Sequence, residues 1–317
     1  MKILFIAPRY TGGIGGHANR VANKLRENGI EVDLMNVPHI PIKKLKNPTF
    51  LINSVIKSIF TKKKYDVVHA FNLPSAFAMK YINAEKKVLS IHGVYSEQID
   101  LLHSNTISRI VKNNEIKIMK WADKLLTNSK NVQNAYKKKY DINFDYIYGP
   151  IDLKKFNDCS ENTSKEQNQI VYIGRDSFEK GIDILKKIEP KIDGKIVYCT
   201  NFNWEKTMKI LKSSKILVVP SRIDNIPNVI KEAFYLKIPV IASDIEGISE
   251  IIQHNKNGIL ITLEDKNKFV VAINNLLKDE KLAEKISNSA YDYLMKHFTW
   301  DVLFSKYLKF YKDLMDT

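Results

Sequence analysis

Short apolar runs alternate with longer amphipathic stretches along the whole chain. The runs are almost continuously apolar, a pattern typical of parallel strands that helices cover on both faces. Because strands and helices alternate twice over, we expect two doubly wound α/β domains. The predicted strands begin at Lys2 and at Gln169 or span residues 66–71, 87–93, 195–199, 215–221 and 239–243.

A polar segment divides the chain into the two expected domains. Residues 157–169 read NDCSENTSKEQNQ and contain almost nothing that could enter a core, which is typical of a linker. On each side of it, the chain opens with an apolar strand, a turn carrying glycine and basic residues, and an amphipathic helix. We therefore predict a first domain over residues 1–157, a linker over 158–169 and a second domain over 170–299.

Composition allows two cores and narrows the class of protein. The chain has 317 residues, of which 44% are hydrophobic. Its two cysteines, Cys159 and Cys199, are too few for a disulfide framework and lack metal-site spacing, which favours a reducing cytoplasm. The apolar start stops at Pro8, and no apolar run approaches the roughly 20 residues that cross a bilayer. We expect a soluble cytoplasmic protein or one on the inner face of the cell membrane.

Positive charge is concentrated in the first half of the chain. The formal net charge is +15, and residues 1–150 hold 24 Lys+Arg against 11 Asp+Glu, a net of +13. This excess predicts an acidic partner such as anionic lipid, a phosphorylated acceptor or nucleic acid. Against a nucleic-acid-binding protein, the charge is scattered through helices and no RNA-binding or helix-turn-helix motif is present.

The turn after the first strand contains Gly12, Gly13, Gly15 and Gly16, and His17 follows them. Ligands of parallel sheets bind beyond the carboxyl ends of the strands. Glycines let backbone N–H groups approach a ligand, and a helix N-terminus adds partial positive charge, so this turn is a candidate anion or sugar site. A turn that only needs positive φ angles is the alternative.

Two further strand ends carry candidate side chains. His92 ends the run KVLSIHG, where it could bind a sugar hydroxyl, or it could simply cap the local backbone. Gly174 and Arg175 follow the strand that begins at Gln169, with Lys180 five residues past the arginine. A guanidinium and an ammonium group beside a helix start suit a diphosphate, although a solvated basic turn remains possible.

The segment 215–252 is the most informative. It runs from an apolar strand into a loop with Asp224, and a helix expected to begin near Pro227 carries Glu232. The first N–H groups of that helix, near Asn228 and Val229, would point at phosphates, and Glu232 could accept hydrogen bonds from two ribose hydroxyls. The simpler interpretation makes Asp224 a helix cap and Glu232 a surface residue.

These residues resemble retaining GT-B glycosyltransferases of family 4, the group 1 glycosyl transferases. Asp224 and Glu232 stand as an E-x7-E pair whose first member is aspartate, with PS before it, EA at the second acid, and PVIAS beyond. Upstream, GR-x4-KG at 174–181 resembles the diphosphate-binding turn of the family, and GG-x-x-x-H at 12–17 its glycine loop. KWADKLLTNSKNV and YGPIDLKKF also resemble family stretches, so the likeness covers most of the chain.

The resemblance implies a role for each matching position. Arg175 and Lys180 would bind the donor diphosphate, Glu232 the nucleotide ribose and Asp224 the donor sugar. His92 would sit near that sugar. The four carried over to catalysis are thus His92, Arg175, Lys180 and Asp224.

The resemblance also implies the architecture. The GT-B fold has two Rossmann-like doubly wound domains facing a central cleft, and a C-terminal helix, here about residues 300–317, that returns to the first domain. Gly13 would line the place where acceptor and phosphate meet. Between 181 and 215 the chain is short, so we expect only the strand KIVYC and one further helix there.

The resemblance implies transfer of a sugar from a UDP- or GDP-linked donor to a glycan, lipid-linked or other hydroxyl acceptor, with retention. Cell-surface polysaccharide or glycolipid synthesis is the expected setting. We expect no cofactor and no metal, because no D-x-D motif is evident and Arg175 with Lys180 can supply the positive charge. A GT-B-like sugar-nucleotide epimerase is the alternative enzyme class.

Residues 43–64 predict a helix with an apolar stripe at Leu51, Ile52, Val55, Ile56, Ile59 and Phe60 and lysines at both ends. Such a helix commonly packs on its own sheet. Its lysines and the basic first half also suit a surface that contacts anionic membrane.

Overall fold

The apolar runs of the sequence form strands of two parallel sheets in a computed structural model, which describes residues 1–8, 13–37, 46–93, 114–159 and 164–316. These residues divide into two units, one of Met1–Gly149 with Phe304–Thr317 and one of Pro150–Leu303. The expected α/β fold with two doubly wound sheets is confirmed.

The first unit contains a six-stranded sheet in the order β2-β1-β3-β4-β5-β6, with every pair parallel. Its central strands are buried on both faces, as Ile3, Phe5, Val67 and Val68 show. The strands are β1 (Lys2–Pro8), β2 (Glu31–Val37), β3 (Tyr65–Ala70), β4 (Ala84–Ser90), β5 (Lys124–Thr127) and β6 (Asp145–Tyr146). The helices are α1 (Gly13–Glu27), α2 (Lys46–Ile59), α3 (Leu73–Met79), α4 (114–119) and α5 (Lys130–Tyr140).

The second unit contains a five-stranded parallel sheet in the order β11-β10-β9-β7-β8. The expected strand KIVYC is β8, and one helix separates it from β9. The strands are β7 (Gln169–Ile173), β8 (Lys195–Cys199), β9 (Ile216–Val219), β10 (Val240–Ser243) and β11 (Ile259–Ile261). The helices are α6 (Ile182–Ile188), α7 (Trp204–Ser213), α8 (Asn228–Tyr235), α9 (Glu246–Ser249), α10 (Lys266–Lys278) and α11 (Glu280–His297), and α12 (Trp300–Met315) follows them.

The two units divide at residues 149/150, upstream of the polar segment that composition marks as a linker. The intervening residues belong to the second unit because they pack there. The Ile151 N–H donates to the Phe298 carbonyl at 2.8 Å, and the buried Phe156 ring contacts Trp204 and Tyr235. Of the predicted linker, residues 160–163 lie outside the described part of the chain.

Helix α2 packs with a different face from the one its sequence suggests. Phe50, Ser54 and Ser58 are buried, and the two hydroxyls donate to the carbonyls one turn earlier, at 2.9 and 2.7 Å. The more apolar stripe faces outward: Ile52, Ile56, Ile59 and Phe60 are each at least 50% exposed. Among the described helices, none is long and apolar enough to cross a membrane.

Buried side-chain hydrogen bonds connect α12 to the first sheet. The His69 Nδ1 atom lies 2.7 Å from the Tyr311 hydroxyl, and its Nε2 atom lies 2.6 Å from the Ser90 hydroxyl. The Phe71 ring stacks on the imidazole with centroids 4.2 Å apart. Burial lowers the pKa of His69 well below its usual range, so the imidazole is neutral in the folded chain.

The buried His69 makes the stability of the first unit depend on pH. The unfolded chain binds a proton here below about pH 6.5 and the folded chain does not, so stability is full above that pH and falls as pH drops. We expect a loss of roughly 1.4 kcal/mol per pH unit from this histidine. Urea unfolding of wild type and of His69→Phe from neutral to acidic pH measures the two slopes.

The slope should be smaller in His69→Phe than in wild type, because phenylalanine binds no proton in either state. An equal slope in wild type and His69→Phe would contradict the assignment.

Candidate active site

The structure brings Lys180 and Asp224 together at the carboxyl ends of β7 and β9. Lys180 ends a short 3₁₀ turn, Phe178–Lys180, and its ammonium donates to Oδ2 of Asp224. The Ser221 hydroxyl donates to the same oxygen at 3.3 Å. The two side chains are only 22% and 17% exposed. A cation and a carboxylate are thus held, partly shielded from water, at the edge of the sheet where ligands of such folds bind.

Arg222 clamps the two loops that carry this pair. Its guanidinium makes a bidentate ion pair with Asp183, at 2.7 and 2.8 Å, and donates to the Phe178 carbonyl at 2.7 Å. Its Cζ atom lies 3.9 Å from the centroid of the Phe178 ring. The ion pair holds the pKa of the Asp183 carboxyl below its usual range and raises the pKa of Arg222. The sequence gives no sign of this clamp because its two charges are far apart along the chain.

Two glycines allow the loops to approach closely. Gly181 has φ +67°, and a Cβ there would lie 1.9 Å from the Pro220 carbonyl oxygen. A Cβ at Gly247, at the start of α9, would lie 2.1 Å from the Asp224 carbonyl oxygen. Any side chain at either position would push the loop of Asp224 away, so both glycines are required by packing.

Glu232 lies on α8 and is fixed by a tryptophan. Its Oε1 atom accepts a hydrogen bond from Nε1 of Trp204 at 2.9 Å. The helix begins one residue later than expected: Pro227 is the N-cap, with extended ψ of 130°, and Asn228 is the first helical residue. Asn228 is exposed and Val229 half-buried, and the first N–H groups of a helix have no intrahelical acceptor.

Arg175 is exposed directly beyond β7, and the structure does not join it to the Lys180–Asp224 pair. Its backbone is held instead, because the Tyr172 hydroxyl donates to the Arg175 carbonyl at 2.8 Å. Gly174 precedes it, and a Cβ there would lie 2.9 Å from the same hydroxyl. The turn is therefore ordered by Tyr172, while the guanidinium is left facing solvent.

In the first unit, the glycine segment is the start of a helix rather than a turn before one. Gly12 lies outside the described residues, and α1 begins at Gly13, which has φ +55°. Gly15 and Gly16 are buried inside α1, so their small size serves close helix packing. The expected Gly-rich loop is wrong for residues 14–16, which already follow the helical path, whereas Gly13 has the positive φ that a glycine turn requires.

His17 and His92 meet in the first unit. Their rings pack edge to face with centroids 5.6 Å apart, and the Tyr307 hydroxyl of α12 lies 3.4 Å from Nε2 of His17. His92 lies two residues beyond the end of β4, which starts and ends three residues earlier than the apolar run suggested. The early residues of β4, from Glu85 to Lys87, are polar because they lie at the start of the strand, at the edge of the sheet where the strands begin.

His92 is a neutral imidazole at neutral pH. Burial lowers its pKa to about 4, opposed by a hydrogen bond to Asn128. A neutral ring can donate one hydrogen bond and accept another, but it does not supply a positive charge. This suits recognition of a hydroxyl group better than binding of a phosphate.

Both halves of the chain match models of known families. Residues 11–155 match the model described as Glycosyltransferase Family 4, and residues 191–293 match Glycosyl transferases group 1. An uncharacterized glycosyltransferase of Methanocaldococcus jannaschii is 23% identical, with 100% of this chain and 99% of that protein aligned.

Solved structures share the fold. Sucrose-phosphate synthase from Thermosynechococcus elongatus gives a TM-score of 0.77 at 17% identity, covering 99% of each chain. The Anabaena HepE protein in complex with UDP-glucose gives 0.72 at 16% identity, covering 99% of this chain and 100% of that one. Two parallel α/β units and matches to both family models lead to one conclusion: the chain belongs to the group 1 glycosyl transferases of family 4 and has the GT-B fold.

Proposed function

We propose that this glycosyltransferase moves a sugar from a UDP- or GDP-linked donor to a hydroxyl acceptor with retention of anomeric configuration. The observation that carries the proposal is the set of groups at one edge of the second sheet. Lys180 is held half-buried on Asp224, and Glu232 projects from the helix that begins at Asn228. The complex of the similar HepE protein with UDP-glucose supports a nucleoside diphosphate donor.

Each group has a proposed task. Lys180 and Arg175 bind the diphosphate, with further N–H donors from the start of α8 at Asn228 and Val229. Glu232 accepts hydrogen bonds from the ribose hydroxyls. Asp224, which is one methylene shorter than the glutamate of the E-x7-E pattern, both orients Lys180 and contacts the donor sugar.

The proposed reaction is a front-face displacement. The bond from the anomeric carbon to the diphosphate oxygen breaks as the acceptor oxygen bonds to the same carbon face, and the acceptor proton passes to the leaving diphosphate. Negative charge grows on the diphosphate in the transition state, where fixed cations stabilise it most. Lys180 and Arg175 supply the positive charge that stabilises the leaving diphosphate, so we propose that no metal ion is required.

The first unit would supply the acceptor side. His92, neutral and packed against His17, would bind a sugar hydroxyl, and Gly13 would line the place where acceptor and phosphate meet. The acceptors we propose are glycans or lipid-linked sugars of cell-surface polysaccharide or glycolipid synthesis.

Product analysis tests this function. The protein is incubated with UDP- and GDP-sugars, with and without a panel of glycan and lipid-linked acceptors, and nucleoside diphosphate release is followed by chromatography. Release that requires an acceptor, with NMR showing the donor anomeric configuration in the product, is the expected result. Conversion of the donor sugar without an acceptor would instead identify a GT-B-like epimerase, and no turnover of any donor would contradict the proposal.

We further propose that α2 contacts anionic membrane peripherally, on the cytoplasmic face. The outward stripe of Ile52, Ile56, Ile59 and Phe60 supports this, since Phe60 alone is 78% exposed. Lys57 on the same helix and Lys62 just after it are both exposed. An apolar stripe beside cations is the arrangement with which interfacial helices bind anionic lipid.

Vesicle sedimentation tests this surface. Wild type should bind phosphatidylcholine vesicles that contain phosphatidylglycerol, and bind vesicles of phosphatidylcholine alone much less. Serine at Ile52, Ile56 and Phe60 together should lower binding at least about tenfold, because each buried apolar side chain contributes about 1.5–3 kcal/mol.

The matched control is Val271→Ser, which removes a 57% exposed apolar side chain of the second unit. It should bind like wild type. Equal sedimentation of wild type with both vesicle types, or of the triple variant and wild type, would count against membrane contact through α2.

A further inference from the structure

The indole of Trp204 is placed to control the carboxylate of Glu232. Trp204 is the first residue of α7, which follows β8 after a short loop, and it is half-buried. Its Nε1–H donates to Oε1 of Glu232 at 2.9 Å, joining the start of α7 to the middle of α8. A glutamate on a helix surface has several rotamers, and this bond selects among them.

The indole is itself held in place by its surroundings. The buried Phe156 ring packs on it edge to face, with centroids 5.1 Å apart and planes at 76°. Phe156 in turn packs on Tyr235 of α8 at 4.5 Å, and the ammonium of Lys155 lies 5.7 Å from the indole centroid. The indole that donates the N–H is therefore packed in an aromatic cluster that also contacts α8, the helix of Glu232.

The N-terminus of α7 also helps to fix the position of Trp204. The Asn203 side chain caps the helix by accepting the Lys206 N–H at 2.9 Å, so the backbone at Trp204 is fixed by its own local bonds. The orientation of the indole thus does not depend on a bound ligand.

We propose that Trp204 is a positioning residue that presets Glu232 to recognise the paired hydroxyls of a ribose. This rests on the proposed function, in which Glu232 binds the ribose of the donor. A preset carboxylate accepts bonds from both ribose hydroxyls without first losing rotamer freedom. A site built to bond a hydroxyl discriminates strongly against the analogue that lacks it. Trp204 therefore contributes to the choice of ribonucleotide over 2′-deoxyribonucleotide.

Calorimetric titration of Trp204→Phe tests the proposal. Phenylalanine keeps an aromatic ring but removes the N–H donor. Each protein is titrated with UDP and GDP and with their 2′-deoxy analogues. We expect the ribonucleotide Kd to rise about tenfold while the 2′-deoxy Kd changes little, because a preset Glu232 carboxylate contributes fully only where it bonds to both hydroxyls.

The ratio of the two affinities separates a positioning role from a merely structural one. General damage to the unit would weaken both nucleotides alike and leave the ratio unchanged, and that result would overturn the proposal. Trp121→Phe, in the first unit, is the matched control and should leave the ratio at its wild-type value. If wild type binds no nucleoside diphosphate, the proposed function itself fails, whereas wild-type binding with an unaltered ratio in Trp204→Phe refutes only the role of Trp204.

Fluorescence gives a second measurement that does not require the Trp204→Phe variant to fold. The sequence contains three tryptophans, so Trp121→Phe combined with Trp300→Phe leaves Trp204 alone. Its emission should shift when UDP or GDP binds, because the carboxylate that accepts the indole N–H is then shared with the ribose hydroxyls, and it should shift less with the 2′-deoxy analogue. An emission that no nucleotide changes, in a protein that calorimetry shows to bind one, would overturn the proposal.

Discussion

Replacing Lys180 by alanine should lower kcat at least about tenfold in the transfer reaction. The ammonium is a fixed cation beside the proposed diphosphate, and its stabilisation grows as negative charge develops on the leaving group. Its loss also leaves the Asp224 carboxylate, only 17% exposed, without its ion-pair partner. The first effect acts mainly on the transition state, whereas the unpaired carboxylate opposes binding of the diphosphate in both states.

Steady-state kinetics with a saturating acceptor measures this effect. Lys186→Ala is the matched control, because Lys186 lies on the adjacent helix α6 and is paired with Asp176 at 3.6 Å but is 55% exposed. It should retain wild-type turnover. Unchanged kcat in Lys180→Ala would remove this residue from the reaction.

Gly181→Ala should unfold or displace the loop that carries Lys180. Two costs add at this position: the positive φ of +67°, and a Cβ that would lie 1.9 Å from the Pro220 carbonyl oxygen. A non-glycine residue in the left-handed region costs about 1–2 kcal/mol by itself. The backbone clash adds to that, so we expect a total loss of about 3 kcal/mol or more, with a large fall in activity.

Gly29→Ala separates the two costs. Gly29 has φ +79°, but a Cβ there would meet nothing within 4 Å. The control should therefore show the backbone cost alone and keep activity. Thermal unfolding of both variants compares them, and a Gly181→Ala variant no less stable than Gly29→Ala would show that the two loops are not packed as described.

The strands that the sequence predicts are those with continuous apolar runs. β1, β3, β9 and β10 lie inside the sheets, and the edge strand β8 is still largely apolar, so the pattern of each of these strands is plain. β2 alternates Glu31, Asp33 and Asn36 with apolar residues, since it is an edge strand, and β6 and β11 are too short to give a run. These strands are not evident in the sequence because they lie at the edges of the sheets or are short.

The helix α2 shows where apolar pattern misleads. The most apolar stripe was open to two interpretations, packing on the sheet or facing a membrane. The structure buries Phe50 with two serines and turns the isoleucines outward. Serine can enter a helix interface because its hydroxyl bonds to the carbonyl of the preceding turn, a compensation that no hydrophobicity pattern records.

The candidate site was predictable as a set of residue types but not as a set of contacts. Lys180, Asp224 and Glu232 follow from their places after strands and from the family resemblance. The Arg222–Asp183 clamp, the Trp204–Glu232 bond and the need for Gly247 depend on chain segments that meet only in three dimensions. Local pattern carries no information on such pairs, because the two partners are far apart along the chain.

The proposed function depends most on the second unit binding a nucleoside diphosphate. Calorimetric titration of wild type, Lys180→Ala and Glu232→Gln with UDP and GDP tests this directly. We predict that wild type binds at least one of them and that each variant binds it at least about tenfold more weakly, since each loses a charged contact. Absence of binding to wild type, or equal affinity in all three proteins, would contradict the proposed site.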